Sequence, residues 1–151
     1  ERAIQEFFSE WGREPDVRER PDGLTAWRDD GVELAAGDFF DFQPEAAFHA
    51  FYDRAALIAL PESTRDRYLR RLASLVAPRA RGLLITFEYP DEEMDGPPFP
   101  VRRAELDRQG WFQVEQLERR EVIGVYSDLQ KAGVTSLVET AYRLDRTDLP
   151  A

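Results

Sequence analysis

Two short apolar runs, each stopped by charged residues, constrain this chain more than any other feature. Phe48-His49-Ala50-Phe51-Tyr52 ends at Asp53 and Arg54, and Gly82-Leu83-Leu84-Ile85-Thr86-Phe87 ends at Glu88. Between them Pro61 opens a helical pattern whose apolar stripe is Tyr68, Leu69, Leu72, Leu75 and Val76, and Pro78 ends it. A continuous apolar run bounded by turn signals reads as a strand covered on both faces, and strands alternating with helices read as a parallel sheet. Ligands of such sheets collect outside the carboxyl ends of the strands. Asp53, Arg54 and Glu88 fall there.

The rest of the chain bounds the setting of that unit. At 151 residues it is read as a single domain, 1–151, large enough to bury a core without metal or disulfide. Thirty acidic against 20 basic residues leave a net charge of −10, whose averaged field repels phosphate backbones and anionic membranes, so no nucleic-acid partner is expected. The basic cluster Arg65, Arg67, Arg70, Arg71, Arg79 and Arg81, interrupted by Glu62 and Asp66, is a solvated helix face or an anion site. With no Cys and one His, thiol nucleophiles, disulfides and Cys or His metal sites are ruled out, and His49 reads as structural. No apolar stretch reaches the length of a membrane span. The expected setting is a cytoplasmic monomer acting on a small molecule. Because Glu1 opens in the middle of an amphipathic pattern, a segment upstream of it is expected.

Taken in order, residues 2–11 place Ile4, Phe7, Phe8 and Trp11 at helical spacing as one buried face, with Gly12 as the stop. Residues 17–20 and 24–29 flank Pro21-Asp22-Gly23 as a hairpin, and Asp30-Gly31 turns into a strand at 32–36. Gly37-Asp38-Phe39-Phe40-Asp41-Phe42 follows. There a carboxylate beside aromatic rings suits adenine, with its exocyclic amine and two π faces; the alternative is a capped turn over core aromatics. Arg54, always charged and directly after a buried strand, is either paired or holds an anion. Four prolines and Gly96 keep residues 89–101 irregular, as a wall or lid at the sheet edge or as a rigid turn. A helix at 102–109 capped by Gly110, a strand at 111–122, a turn at 126–132 and a last strand at 134–144 complete the pattern, with 145–151 expected to fray.

Four of these pieces, in order, resemble the thiopurine S-methyltransferase family in its bacterial form: Ile4 to Phe8, Gly37 to Asp41, Tyr52 to Leu60, and Met94 to Phe99. The resemblance implies an α/β class I methyltransferase fold, Rossmann-like, with helices on both faces of the sheet and an antiparallel last strand. It implies S-adenosylmethionine as methyl donor and a small thiol, selenol or metalloid as acceptor. It assigns Asp38, Phe39 and Arg54 to the cofactor, Arg54, Pro97 and Phe99 to the acceptor, and Asp53 with Arg54 to catalysis, Asp53 orienting Arg54 or relaying a proton. The family's first strands, with the cofactor loop and the ribose-binding acid, would lie upstream of Glu1, which leaves a non-catalytic domain of the same ancestry as the alternative. Where family members often carry an arginine this chain has Asp128, which disfavours an anionic thiopurine.

Overall fold

The computed structural model describes residues 1–147, which form two compact units, Glu1–Glu45 and a second beginning at Ala46. In the first, helix α1 (Arg2–Glu10) precedes a three-stranded antiparallel meander, β1 (Asp16–Glu19), β2 (Thr25–Asp29) and β3 (Val32–Ala36). The expected hairpin and both turns are present. Asp30 and Gly31 have positive φ, as a tight two-residue hairpin turn requires. Leu24, Ala26, Trp27 and Phe8 are the buried apolar residues of this unit.

The helix face departs from expectation. Of its four apolar residues only Phe8 is buried, and Trp11 is 60% exposed. The rings instead contact one another along the helix, Phe7 lying edge-on to Phe8 at 5.2 Å and tilted against Trp11 at 4.7 Å.

The second unit is built on a mixed sheet in the order β4-β5-β7-β6. β4 (Phe48–Asp53) runs parallel to β5 (Val76–Glu88), the crossover being helix α2 (Glu62–Leu75). β7 (Val138–Arg146) is antiparallel to both β5 and β6 (Phe112–Glu121), which gives the antiparallel last strand. Two short helices, α3 (Arg103–Arg108) and α4 (Ser127–Lys131), precede β6 and β7. The α/β class is as read from the sequence. Leu57, Leu84, Val101, Leu106, Leu137, Tyr142 and Leu144 are at most 1% exposed and mark the core. Among the described residues no helix is long and apolar enough to cross a membrane.

Several boundaries move. β5 begins at Val76, so Val76 belongs to the strand and not to the helix stripe, and Pro78 lies within a register shift opposite Phe48 and Ala50 that needs no ladder bond from it. β4 is not covered on both faces: it is an edge strand in which Phe48 is 45% and Tyr52 62% exposed. Gly110 does not cap α3. The side chain of Gln109 does so instead, its amide donating to Leu106 O and Phe112 O at 2.9 Å and accepting from the backbone N–H groups of Trp111 and Phe112. β7 starts at Val138 and not at Val134, and it carries Asp145 and Arg146. Arg146 Nε donates to Ala73 O at 2.9 Å, so the chain is held through Thr147, and the rest of the expected frayed tail lies outside the described residues.

Candidate active site

β4 delivers its charged end through a turn that the sequence caps from within. The Asp53 carboxylate folds back to accept from Ala56 N at 2.9 Å and Leu57 N at 3.3 Å, which fixes the 3-10 turn Leu57–Ala59. Its second oxygen accepts from Tyr68 Oη of α2 at 2.9 Å. Burial and the facing Asp53 charge push the Tyr68 phenol well above its ordinary value, so it stays a donor. Asp53 is itself 5% exposed, and no hydrogen bond joins it to Arg54 among the described residues. The expectation that it orients Arg54 gives way to a cap that holds the turn.

Arg54, the next residue, is exposed and has no hydrogen-bond or ion-pair partner among the described residues. The Asp53 carboxylate beside it is fully engaged by the turn and by Tyr68. The structure therefore leaves one guanidinium available at the carboxyl end of a parallel strand.

The 94–100 loop is anchored to this turn. Phe99 N donates to Ile58 O at 2.6 Å, Tyr89 Oη to Pro98 O at 2.7 Å, and Val101 N to Phe87 O at 2.8 Å. Gly96, with φ of 73°, lies against the Phe99 ring, where a Cβ would come within 2.5 Å of Cδ1. The Gly96–Pro97 and Pro97–Pro98 peptides are cis. Pro97 is exposed and Phe99 half-buried. Phe99 also lines a cavity of ≈ 580 Å³ with Arg65, Pro100, Arg102, Glu105 and Arg108. Arg54 and Phe99, predicted separately, thus sit on two segments joined by a backbone hydrogen bond.

Most of the basic cluster is the solvated face expected, Arg67, Arg70, Arg79 and Arg81 being exposed, and Arg65 departs from it. Arg65 is 3% exposed and paired with Glu105 at 2.7 Å, whereas Arg70 and Arg81 make exposed pairs with Asp66 and Asp145. Burial raises the Glu105 carboxyl against the opposing pull of Arg65. His49 is exposed on the edge strand, and not a satisfied interior residue. Among the described residues no cluster of His, Asp or Glu is suited to a metal ion.

In the first unit, Asp38 is exposed and its Oδ1 accepts from Phe40 N at 2.8 Å, while Phe39 is half-buried with its ring edge-on to Phe40 at 5.9 Å. This segment is held by a node that the sequence reading treated only as turn chemistry. Arg20 donates from Nε and Nη2 to Asp22 and from Nη2 to Gln43 O at 2.7 Å, Asp22 accepts from Gln43 N at 2.8 Å, and the guanidinium lies 4.9 Å over the Phe42 ring. Hydrogen bonds, first from Arg20 and then from Gln43 N, hold the Asp22 carboxyl well below its ordinary value. An arginine two residues before a turn aspartate was the only signal for it.

Comparison with known proteins follows the same lines. The family model described as thiopurine S-methyltransferase matches residues 1–147. The thiopurine S-methyltransferase of Pseudomonas paraeruginosa is 44% identical over 151 residues, 97% of this chain and 68% of that protein, and the one of Pseudomonas putida strain F1 is 45% identical over 149 residues, with 96% and 68% covered. Among solved structures, the N-methyltransferase NodS of Bradyrhizobium japonicum, in complex with S-adenosyl-L-homocysteine, aligns with a TM-score of 0.47 and 11% identity over 74% of this chain and 53% of that one, a likeness too weak to carry an argument. The family match spans both units, and this chain belongs to the thiopurine S-methyltransferase family.

Proposed function

We propose that this chain carries the acceptor side of an S-adenosylmethionine-dependent S-methyltransferase, with Arg54 facing a small thiol, selenol or metalloid acceptor. The observation that carries the reading is the exposed guanidinium of Arg54, without a partner among the described residues, on a turn capped by the Asp53 carboxylate. Membership of the family makes the chain a methyltransferase by descent, and S-adenosylmethionine supplies, when bound, a methyl group on a cationic sulfur. An incoming thiol has to react as its thiolate, and a guanidinium lowers the pKa of a thiol held beside it. Pro97 and Phe99 supply an apolar wall that excludes water and limits how the acceptor can lie. Asp53, with its oxygens occupied, serves by presenting Arg54 and not as a base.

The residues of the first unit fit the adenine end of the cofactor. Asp38 keeps an exposed carboxylate, the acceptor that an exocyclic amine requires, and Phe39 beside it offers a ring face. Asp128, which pairs with Lys131 at 3.7 Å and is otherwise fully solvated, puts negative charge where an anionic heterocycle would be opposed. We take this to favour a small soft acceptor over a thiopurine. We further propose a cytoplasmic monomer; the net charge of −10 supports only the expectation that it binds no nucleic acid.

The open apolar edge of β4 favours a second reading, a non-catalytic interaction domain of the same ancestry. Calorimetric titration with S-adenosylhomocysteine separates the two, micromolar binding being expected of the methyltransferase. Arg54→Ala is expected to reduce kcat/KM for thiols by about 100-fold, as removal of a charged transition-state contact does, with the unfolding midpoint unchanged. No binding in a folded sample, or equal loss of activity and stability in the variant, would overturn the reading.

A further inference from the structure

Arg65 occupies a place that its charge alone does not explain. It sits in the first turns of α2, 3% exposed, and its guanidinium reaches three separate segments. Nε donates to Leu60 O at 2.9 Å, Nη1 donates to Pro100 O at 3.0 Å, and Nη1 also donates to Glu105 Oε2 of α3 at 2.7 Å. Leu60 ends the turn that begins at Arg54. Pro100 ends the loop that carries Pro97 and Phe99.

We propose that Arg65 is a positioning residue for methyl transfer, which sets the separation between the Arg54 guanidinium and the Phe99 wall by holding the last carbonyl of each segment on one planar group. The inference rests on the acceptor-side reading of Arg54 and Phe99. Guanidinium is flat and its donors keep fixed angles, so two carbonyls bound to it cannot drift independently. The Phe99 N to Ile58 O bond supplies a third fixed point between the same two segments. Leu69, Leu72 and Ala73 are buried farther along α2, so the helix from which the clamp reaches is itself anchored. Small errors in the placement of reacting groups cost rate steeply, which gives a residue that touches neither reactant a large effect.

A simpler role is an ion pair that ties α2 to α3 through Glu105. The two roles part on substitution. Arg65→Lys keeps the charge and the reach to Glu105 but has no planar fork to hold both carbonyls; Glu105→Gln removes the ion pair and leaves the fork in place. The test measures kcat and KM for a small alkyl thiol and for thiophenol, the dissociation constant of S-adenosylhomocysteine, and the thermal midpoint, in the full chain and both variants. Arg65→Lys is expected to lower acceptor kcat/KM by about 30-fold, the loss of two hydrogen bonds at the aligned geometry, with S-adenosylhomocysteine affinity within about twofold. Glu105→Gln, which replaces a carboxylate that burial disfavours, is expected to leave kcat/KM within about threefold, with no loss of midpoint required.

An Arg65→Lys variant with a lowered midpoint and unchanged kcat/KM overturns the proposal, as does a Glu105→Gln variant as impaired as Arg65→Lys. Should Arg65→Lys not fold, Glu105→Gln still decides, since a 30-fold loss there assigns the effect to the ion pair. A parent protein that binds S-adenosylhomocysteine and methylates no thiol removes the acceptor reading, and this inference with it. An active parent with unaffected variants removes this inference alone.

Discussion

Asp53 and Arg54 are adjacent, both charged and both at the end of one strand, and the structure gives them opposite tasks. The carboxylate is buried and takes two backbone N–H groups and a phenol; the guanidinium beside it is exposed and takes nothing among the described residues. Asp53→Asn keeps one oxygen but replaces the other by a donor that faces Leu57 N and Tyr68 Oη. A cost of about 1–3 kcal/mol in unfolding free energy is expected, while Arg54→Ala changes stability by less than about 0.5 kcal/mol. Urea titration of both variants checks this, and similar losses would show that Arg54 is held by contacts absent here. The strand-end charges were legible because an apolar run cannot continue through them. Their division was not, because an aspartate three residues before a turn amide reads equally as a cap and as a site residue until the turn is seen to fold back. Arg65 was hidden for a related reason: among six arginines in one stretch, sequence carries no sign of which one finds two carbonyls and a carboxylate to justify burial.

At the scale of elements, the parallel pair and its crossover helix were readable from hydrophobic pattern, and the ends of elements were not. β5 extends six residues before its expected start because the register shift opposite Phe48 and Ala50 absorbs Pro78 and Arg79, which sequence marks as a break. β4 was read as covered on both faces because a continuous apolar run has no polar side to show, whereas its side chains are largely exposed. One contact fixes the pair. Gly82 lies directly under Phe51, its register partner, and a Cβ at that position would fall 2.0 Å from the ring. The Phe51 ring in turn lies 5.4 Å from Phe112 of β6. Gly82→Ala is therefore expected to expel the ring and cost about 1–3 kcal/mol, and Phe51→Ala in the same chain to recover part of that loss. Additive losses in the double variant, read by thermal unfolding, would show that the close approach is not what sets the register.

Across the whole molecule, a few carboxylates among the 30 acidic residues accept hydrogen bonds that hold turns and loops together, and this makes stability depend on pH in a direction that can be worked out. Asp22, hydrogen-bonded first by Arg20 and then by Gln43 N, has its folded value below the ordinary 3.8, so its contribution is complete above pH 3.8 and is lost as pH falls. Glu121, hydrogen-bonded by Ser136 and then Leu137 N, is shifted in the same direction. Glu105 is shifted the other way, chiefly by burial, so its contribution is complete below its ordinary 4.5 and is lost as pH rises through the raised value. The lowered pair governs the acid limb. Asp22→Asn is accordingly expected to be less stable than the parent at pH 7 and 5, with the difference narrowing steadily from pH 3.8 to pH 2, as followed by denaturant midpoints. Because the Arg20 and Asp22 side chains are only 9% and 4% exposed, raising salt to roughly 0.5 M should leave that difference nearly unchanged. A gap that stays constant with pH would place the worth of Asp22 in its shape and not in its charge.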